Sequence, residues 1–189
     1  WIGTNNGGLI RYDGVTFRVY NYYNSDLPTN RVRTIYIDEN DIKWIGTWGQ
    51  GLSRFDGLTW INSNVINSAI AGNFVSSIYP DNNKNLWVTT GTFTAPGGLS
   101  FYDGFAFTSY FALNSGLPGV IVSSVAVDKA NKKWIGTSNE GMASFDGVRW
   151  RTFNRLNSGL PADYALSIAI DSNGDKWIAS EGLAKYIGR

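Results

Sequence analysis

Short apolar runs alternate with turn-forming residues along the whole chain, and the same order of runs returns about every 43 residues. Each unit holds four such runs, separated by turn signals of which Asp-Gly is the most regular. No stretch shows the spacing of apolar residues that an amphipathic helix requires. The pattern therefore predicts an all-β fold, and four antiparallel strands in a unit of this length are typical of a β-propeller blade.

Five elements recur in a fixed order within each unit, and together they define the strands of a blade. An apolar run that ends in Asp is strand a, a Trp-led run is strand b, a Gly-Leu run is strand c and a short aromatic run is strand d. The fifth element, an Asn-Ser-Gly-Leu-Pro-like segment, connects strand d to the next strand a. The Trp residues that open strand b are Trp1, Trp44, Trp87, Trp134 and Trp177. Because a large aromatic residue that returns at one register suits the space between blades, we interpret these five as structural.

The strand count predicts about four and a half blades, since the chain opens on strand b of one blade and closes on strand c of another. The predicted segments are an incomplete blade at 1–23, full blades at 32–63, 75–111 and 122–153, and an incomplete blade at 165–189. Propeller rings usually contain four to eight blades. We therefore expect this segment to be part of a ring of seven or eight blades, with the remaining blades supplied by the same chain or by a second copy.

The ordered motifs Trp-Ile-Gly-Thr (134–137), Gly-Leu-x-x-Phe-Asp-Gly (51–57) and Asn-Ser-Gly-Leu-Pro (114–118), followed by a run that ends in Asp, cover essentially the whole chain. In this order they resemble the two-component regulator propeller repeat. The resemblance implies the sensor propeller of a bacterial hybrid two-component system, or a related secreted or surface propeller. It also implies a periplasmic or extracellular location, with a small glycan, another extracellular ligand or a protein as partner.

Charge and composition narrow the possible partners. The formal net charge is +1 and no basic cluster stands out, which argues against nucleic acid and anionic membranes as partners. The apolar runs are too short to span a bilayer, so we expect no membrane insertion in this segment. The absence of Cys and His removes the commonest metal ligands and the usual base, and we predict no cofactor and no metal. The turn from Asp171 to Asp175 only faintly resembles a calcium loop, because it lacks the distal Glu.

The same absences argue against catalysis, and we predict that the chain is not an enzyme. The best enzymatic candidate is the pair Glu140 and Glu181, because these acids lie at equivalent tips of adjacent predicted blades. A glycosidase would need two carboxyl groups a few ångströms apart at a sugar, and nothing else in the sequence supports that chemistry.

Strand order places the d–a and b–c connections on the same face of the propeller, and we call this face the rim. The b–c tips differ from blade to blade, which is typical of a binding surface on a regular scaffold but also of solvated loops. Aromatic tips would stack on a sugar face, and polar tips would hydrogen-bond to its hydroxyls. The candidate ligand-binding residues are Asn5, Trp48, Gln50, Phe93, Asn139, Glu140 and Glu181. The sequence thus predicts a ligand-sensing or glycan-binding propeller, with a protein-interaction scaffold as the alternative.

Overall fold

The structure, a computed structural model, describes residues 1–187, so the last two residues of the predicted incomplete blade at 165–189 lie outside the described residues. Those residues form five antiparallel sheets and no helix, and hence no helix that could cross a bilayer. The first sheet consists of β1 (Ile2–Gly3), β2 (Leu9–Tyr12) and β3 (Phe17–Tyr20). The last consists of β16 (Ser167–Ile170), β17 (Lys176–Ser180) and β18 (Gly182–Tyr186).

The three sheets between them have four strands each. The second consists of β4 (Val32–Ile37), β5 (Lys43–Thr47), β6 (Leu52–Phe55) and β7 (Trp60–Ser63). The third consists of β8 (Val75–Pro80), β9 (Leu86–Thr90), β10 (Leu99–Tyr102) and β11 (Phe107–Tyr110). The fourth consists of β12 (Val122–Val127), β13 (Lys133–Thr137), β14 (Met142–Phe145) and β15 (Trp150–Phe153). Every strand pairs with its sequence neighbours within its sheet, so each sheet is a meander, and the predicted all-β propeller class is confirmed.

The c–d turn of the first four blades is fixed by an Asp-Gly pair. In the second sheet, the Oδ1 atom of Asp56 accepts the backbone N–H groups of Leu58 at 2.9 Å and Thr59 at 2.7 Å. Gly57 follows with a φ of 106°, a conformation that favours glycine. Hydrogen bonds from the Thr59 and Leu58 backbone, together with the Thr59 hydroxyl, lower the pKa of Asp56 from 3.8 to about 2. The recurrence of Asp-Gly in the sequence is thus explained by the geometry of the c–d turn.

The inner turn of each blade is closed by the Asp that ends strand a. In the fourth sheet, Oδ1 of Asp128 accepts the backbone N–H groups of Ala130 and Lys132, both at 3.0 Å. Its Oδ2 accepts the indole N–H of Trp134 at 2.9 Å. The same three bonds are made at Asp38, Asp81 and Asp171. One carboxylate therefore both caps the a–b turn and fixes the orientation of the blade Trp.

Contacts between blades repeat as well. The residue before the Trp of strand b is a buried Lys in three sheets, and its ammonium lies over the Trp ring of the preceding sheet. The pairs, measured from Nζ to ring centroid, are Lys43 over Trp1 at 5.1 Å, Lys133 over Trp87 at 4.9 Å and Lys176 over Trp134 at 4.5 Å. In the third sheet Leu86 takes this position and packs in one cluster with Trp44. A cation–π contact in three places and an apolar contact in the fourth thus join neighbouring blades at the same point. Desolvation in this position lowers the pKa of Lys133.

Candidate functional site

The b–c and d–a loops are tied together by the same backbone bond in four blades. In each case a glycine at the end of the b–c loop donates its N–H to a carbonyl of the d–a loop that follows. The bonds are Gly8 to Asn30 at 3.0 Å, Gly51 to Asn73 at 2.8 Å, Gly97 to Val120 at 2.8 Å and Gly141 to Asp163 at 2.9 Å. The two sets of loops therefore form one continuous rim.

The Asn-Ser pair of the d–a loop builds the loop itself. In the fourth blade, Oδ1 of Asn157 accepts the backbone N–H of Asn154 at 2.8 Å, and the hydroxyl of Ser158 donates to the Asn154 carbonyl at 2.6 Å. Leu160 then inserts into the core. Because these side chains are used locally, the motif positions the rim without itself being free to bind.

The inner strands of the three full blades carry a β-bulge at their second residue, which is Arg33 in β4, Ser76 in β8 and Ser123 in β12. A bulge changes the direction in which a side chain points. The hydroxyl of Ser76 donates to the carbonyl of Val122 in the next blade, and that of Ser123 donates to Ala165, both at 2.6 Å. Arg33 breaks this pattern, because its guanidinium instead lies over the ring of Trp48, 5.7 Å from the centroid.

Two clefts meet at Arg33 and Trp48. The Asn5 cleft has a volume of 490 Å³ and is also lined by Gly3, Arg31, Val32 and Asn5 itself. The Phe93 cleft has a volume of 470 Å³ and extends across the inner strands of the third, fourth and fifth sheets. Its hydroxyl-bearing residues are Ser76, Ser77, Thr92, Ser123, Ser124, Ser138 and Ser167. No carboxylate of the described chain is among the residues that line either cleft.

The sequence-predicted rim residues divide into two groups. Trp48 and Phe93 line the Phe93 cleft, and Asn5 joins Trp48 in the other. Trp48 is half-buried and meets the ring of Phe74 edge-on at 5.3 Å, whereas Phe93 is 85% exposed. The remaining candidates are exposed at their tips but line neither cleft: Gln50, Asn139, Glu140 and Glu181.

Sequence reasoning missed the inner-strand residues of the site. Ser124 is the most informative of them, because this residue lines the Phe93 cleft and its buried hydroxyl has no hydrogen-bond partner in the described chain. A buried hydroxyl left without a partner is unfavourable, which suits a site that receives a ligand or water. A signal was available, since the second and third residues of each full-blade inner strand are polar within an otherwise apolar run, as in Arg33-Thr34 and Ser123-Ser124.

The arrangement at the two clefts is aromatic, cationic and polar in character. It combines an aromatic surface, a guanidinium and a row of hydroxyls, two of which are already committed to backbone carbonyls. Within residues 1–187 no group of three or more His, Cys, Asp or Glu side chains is placed to hold a metal ion. A further cleft, of 570 Å³, lies near the outer strands beside Tyr20, Trp60 and the d–a loop residues 23–26, and none of the candidate ligand-binding residues lines it.

The five antiparallel meander sheets, with their repeated inter-sheet contacts, define a β-propeller. The model of the two-component regulator propeller family matches residues 69–92, and the resemblance noted from the repeat is confirmed there. No curated protein sequence matches the chain.

Solved structures agree with the fold. The extracellular domain of BT3049 from B. thetaiotaomicron, assigned as a hybrid two-component system, shares 24% identity and a TM-score of 0.83 over 98% of this chain and 26% of its own. The extracellular domain of BT4673 from the same organism gives 20% identity and a TM-score of 0.77, over 98% and 26%. PorZ of Porphyromonas gingivalis, a surface component of the type-IX secretion system, shows 17% identity and a TM-score of 0.53. That match covers 97% of this chain and 36% of the PorZ chain. The chain thus spans about a quarter of the length of the two B. thetaiotaomicron domains, and at these identities the likeness concerns the fold.

Proposed function

We propose that this chain is a non-enzymatic ligand-sensing domain that acts outside the cytoplasm, in the periplasm or at the cell exterior, and binds a small glycan through its rim. The observation that carries the proposal is the Phe93 cleft, in which Trp48 and Phe93 stand beside seven hydroxyl-bearing residues. Sugars present apolar ring faces and many hydroxyls, which aromatic side chains and hydroxyl groups respectively accommodate. The matched repeat family and the extracellular domains with the same fold support a sensing role in that location.

Calorimetric titration with a panel of oligosaccharides tests the proposal. We expect at least one to bind, and the Trp48→Ala and Phe93→Ala variants to weaken that binding about tenfold or more, since stacked aromatic contacts and the area they bury are lost. Phe93 is largely exposed, so its replacement leaves the fold intact even if Trp48→Ala does not. The matched control is Phe105→Ala, which removes an equally exposed ring from the c–d turn on the opposite face. If no oligosaccharide binds, or if the Phe93 and Phe105 variants behave alike, the glycan site is not at this rim.

A second candidate function, a protein-interaction scaffold, is favoured by one different observation. The third residue of the d–a loop is apolar and projects fully into solvent in four successive blades. These residues are Tyr23 at 86%, Ile66 at 91%, Leu113 at 101% and Leu156 at 94% exposure. Regularly spaced exposed apolar side chains are typical of protein-binding surfaces. Crosslinking of the Leu113→Ser/Leu156→Ser variant distinguishes the two functions: a scaffold loses its partner in this variant, whereas oligosaccharide binding is unchanged.

A further inference from the structure

We propose that the ligand of this rim carries an anionic group, a carboxylate or a sulfate, which Arg33 and Arg31 bind while the adjoining ring lies against Trp48. The inference rests on the proposed function, since it assigns the chemical class of the ligand for the same site. It follows from three features of the two clefts in the described residues: arginines without an ion pair, walls without a carboxylate, and a buried hydroxyl without a hydrogen-bond partner.

The two arginines are held at the site but have no ionic partner in residues 1–187. Arg33 is placed by the bulge of β4 and stacks over Trp48. The backbone carbonyl of Arg31 accepts the backbone N–H of Trp48 at 3.0 Å, and Arg31 lines the Asn5 cleft together with Arg33 and Trp48. Neither guanidinium forms an ion pair within the described chain, although six other basic side chains do: Lys43, Arg54, Lys84, Arg155, Lys176 and Lys185.

The charge around these arginines is not compensated locally. The residues that line the two clefts include Arg31 and Arg33 but no Asp or Glu, whereas the chain as a whole has a net charge of only +1. A concave surface that collects one sign of charge favours ligands of the opposite sign. The planar guanidinium matches the oxygens of a carboxylate or sulfate with two parallel N–H···O bonds, and its stacking on Trp48 limits the orientations that must be lost on binding.

Ser124 supplies an independent indication that a polar ligand reaches this surface. Ser124 lies on the inner strand β12, is only 7% exposed and lines the Phe93 cleft. Its buried hydroxyl has no hydrogen-bond partner in the described chain. The preceding residue, Ser123, has a partner, because its hydroxyl donates a hydrogen bond to the Ala165 carbonyl. The Ser124 hydroxyl is buried in the wall of the Phe93 cleft, and a hydroxyl can both donate and accept a hydrogen bond. The Phe93 cleft therefore has unmet polar capacity at its wall and cationic groups at its end.

Matched ligand pairs test the inference on the 189-residue protein. One pair compares an oligosaccharide ending in glucuronic acid with the same oligosaccharide ending in glucose, and a second compares a sulfated oligosaccharide with its unsulfated form. We expect the anionic member of at least one pair to bind at least tenfold more tightly than its neutral counterpart in calorimetry, with affinity that falls between 50 and 200 mM salt. Which pair shows the difference identifies the anionic group.

Variants assign the effect to Arg33. We expect Arg33→Gln to weaken the anionic ligand roughly 10- to 100-fold with little change for the neutral one, and Arg33→Lys to restore only part of the affinity, because lysine lacks the two-pronged geometry. The matched control is Arg11→Gln, which removes an exposed arginine of β2 that lines neither cleft. If neutral and anionic ligands bind equally and Arg33→Gln has no effect, the inference is overturned while the proposed function stands. If no member of either pair binds although another oligosaccharide of the panel does, the inference is likewise overturned and the proposed function stands; if nothing in the panel binds, both fail.

Discussion

Replacement of Asp128 gives a direct test of how each blade is held together. Its carboxylate accepts two backbone N–H groups of the a–b turn and the indole N–H of Trp134, which is 2% exposed. The side chain of Asp128 is only 12% exposed, and the ammonium of Lys176 from the next blade lies 3.9 Å from its Oδ2. An Asp128→Ala substitution therefore removes three charge-assisted hydrogen bonds and also the attraction between this carboxylate and the Lys176 ammonium.

The size of the expected effect follows from these contacts. Hydrogen bonds to a charged group contribute about 1.5–3 kcal/mol each, but donors near the surface recover part of this from water. We expect Asp128→Ala to lower the free energy of unfolding by about 3–5 kcal/mol. Asp128→Asn should lower the free energy of unfolding by a smaller amount, about 2–3 kcal/mol. The amide oxygen still accepts the turn N–H groups, but the amide N–H₂ now faces the indole N–H, so that bond is lost.

Urea denaturation followed by tryptophan fluorescence measures these changes. The control is Asp146→Ala in the same blade, since this exposed carboxylate also accepts two backbone N–H groups, from Val148 at 2.9 Å and Arg149 at 2.7 Å. A double-mutant cycle with Trp134→Phe isolates the indole bond and should give a coupling energy of about 1 kcal/mol or more. An equal loss at Asp128 and Asp146, or a coupling energy near zero, would refute the interpretation that the carboxylate orients the blade Trp.

Three further predictions use matched positions of the repeat. Gly141→Ala should destabilise the protein far more than Gly147→Ala, since a Cβ at Gly141 would lie 2.1 Å from a backbone oxygen, whereas Gly147 has open space around it. Both glycines have positive φ, so Gly147→Ala should still lower the free energy of unfolding by about 1 kcal/mol. Equal urea midpoints for the two variants would contradict the steric argument. Lys133→Leu should leave the free energy of unfolding in urea unchanged or raise it, because burial lowers the pKa of Lys133 and Leu86 already fills the same position one blade earlier. A fall of that free energy by more than about 2 kcal/mol would show that the ammonium is needed there. Because the pKa of Asp56 is lowered from 3.8 to about 2 in the folded state, the stability that its carboxylate contributes is present above pH 3.8 and disappears as the pH falls through about 2. Asp56→Asn should therefore flatten the acid-unfolding curve in that interval, and an unchanged curve would show that Asp56 does not contribute to acid unfolding.

The strands were predictable because their signals are local. Asp56-Gly57 marks a two-residue turn whatever surrounds it, and the alternation on either side fixes the strands it joins. The contact of Lys133 with Trp87 was not predictable in this way, because it depends on how far one sheet is rotated relative to the next. Trp48 and Phe93 could be singled out as variable tips. The polar pair Arg33-Thr34 was visible within an apolar run, but the contact of Arg33 with Trp48 was not, because it depends on the bulge of β4.

The contact of a Lys or Leu with the Trp of the sheet before it makes each junction directional, with one kind of surface at the front of a blade and another at its back. Such head-to-tail surfaces match any other copy of the same unit, so the junction alone carries no information about how many units follow one another. A blade could therefore be duplicated or deleted in evolution without redesigning its neighbours. The tips of the b–c loops, which take no part in the contact of Lys or Leu with Trp, would be free to diversify with every copy.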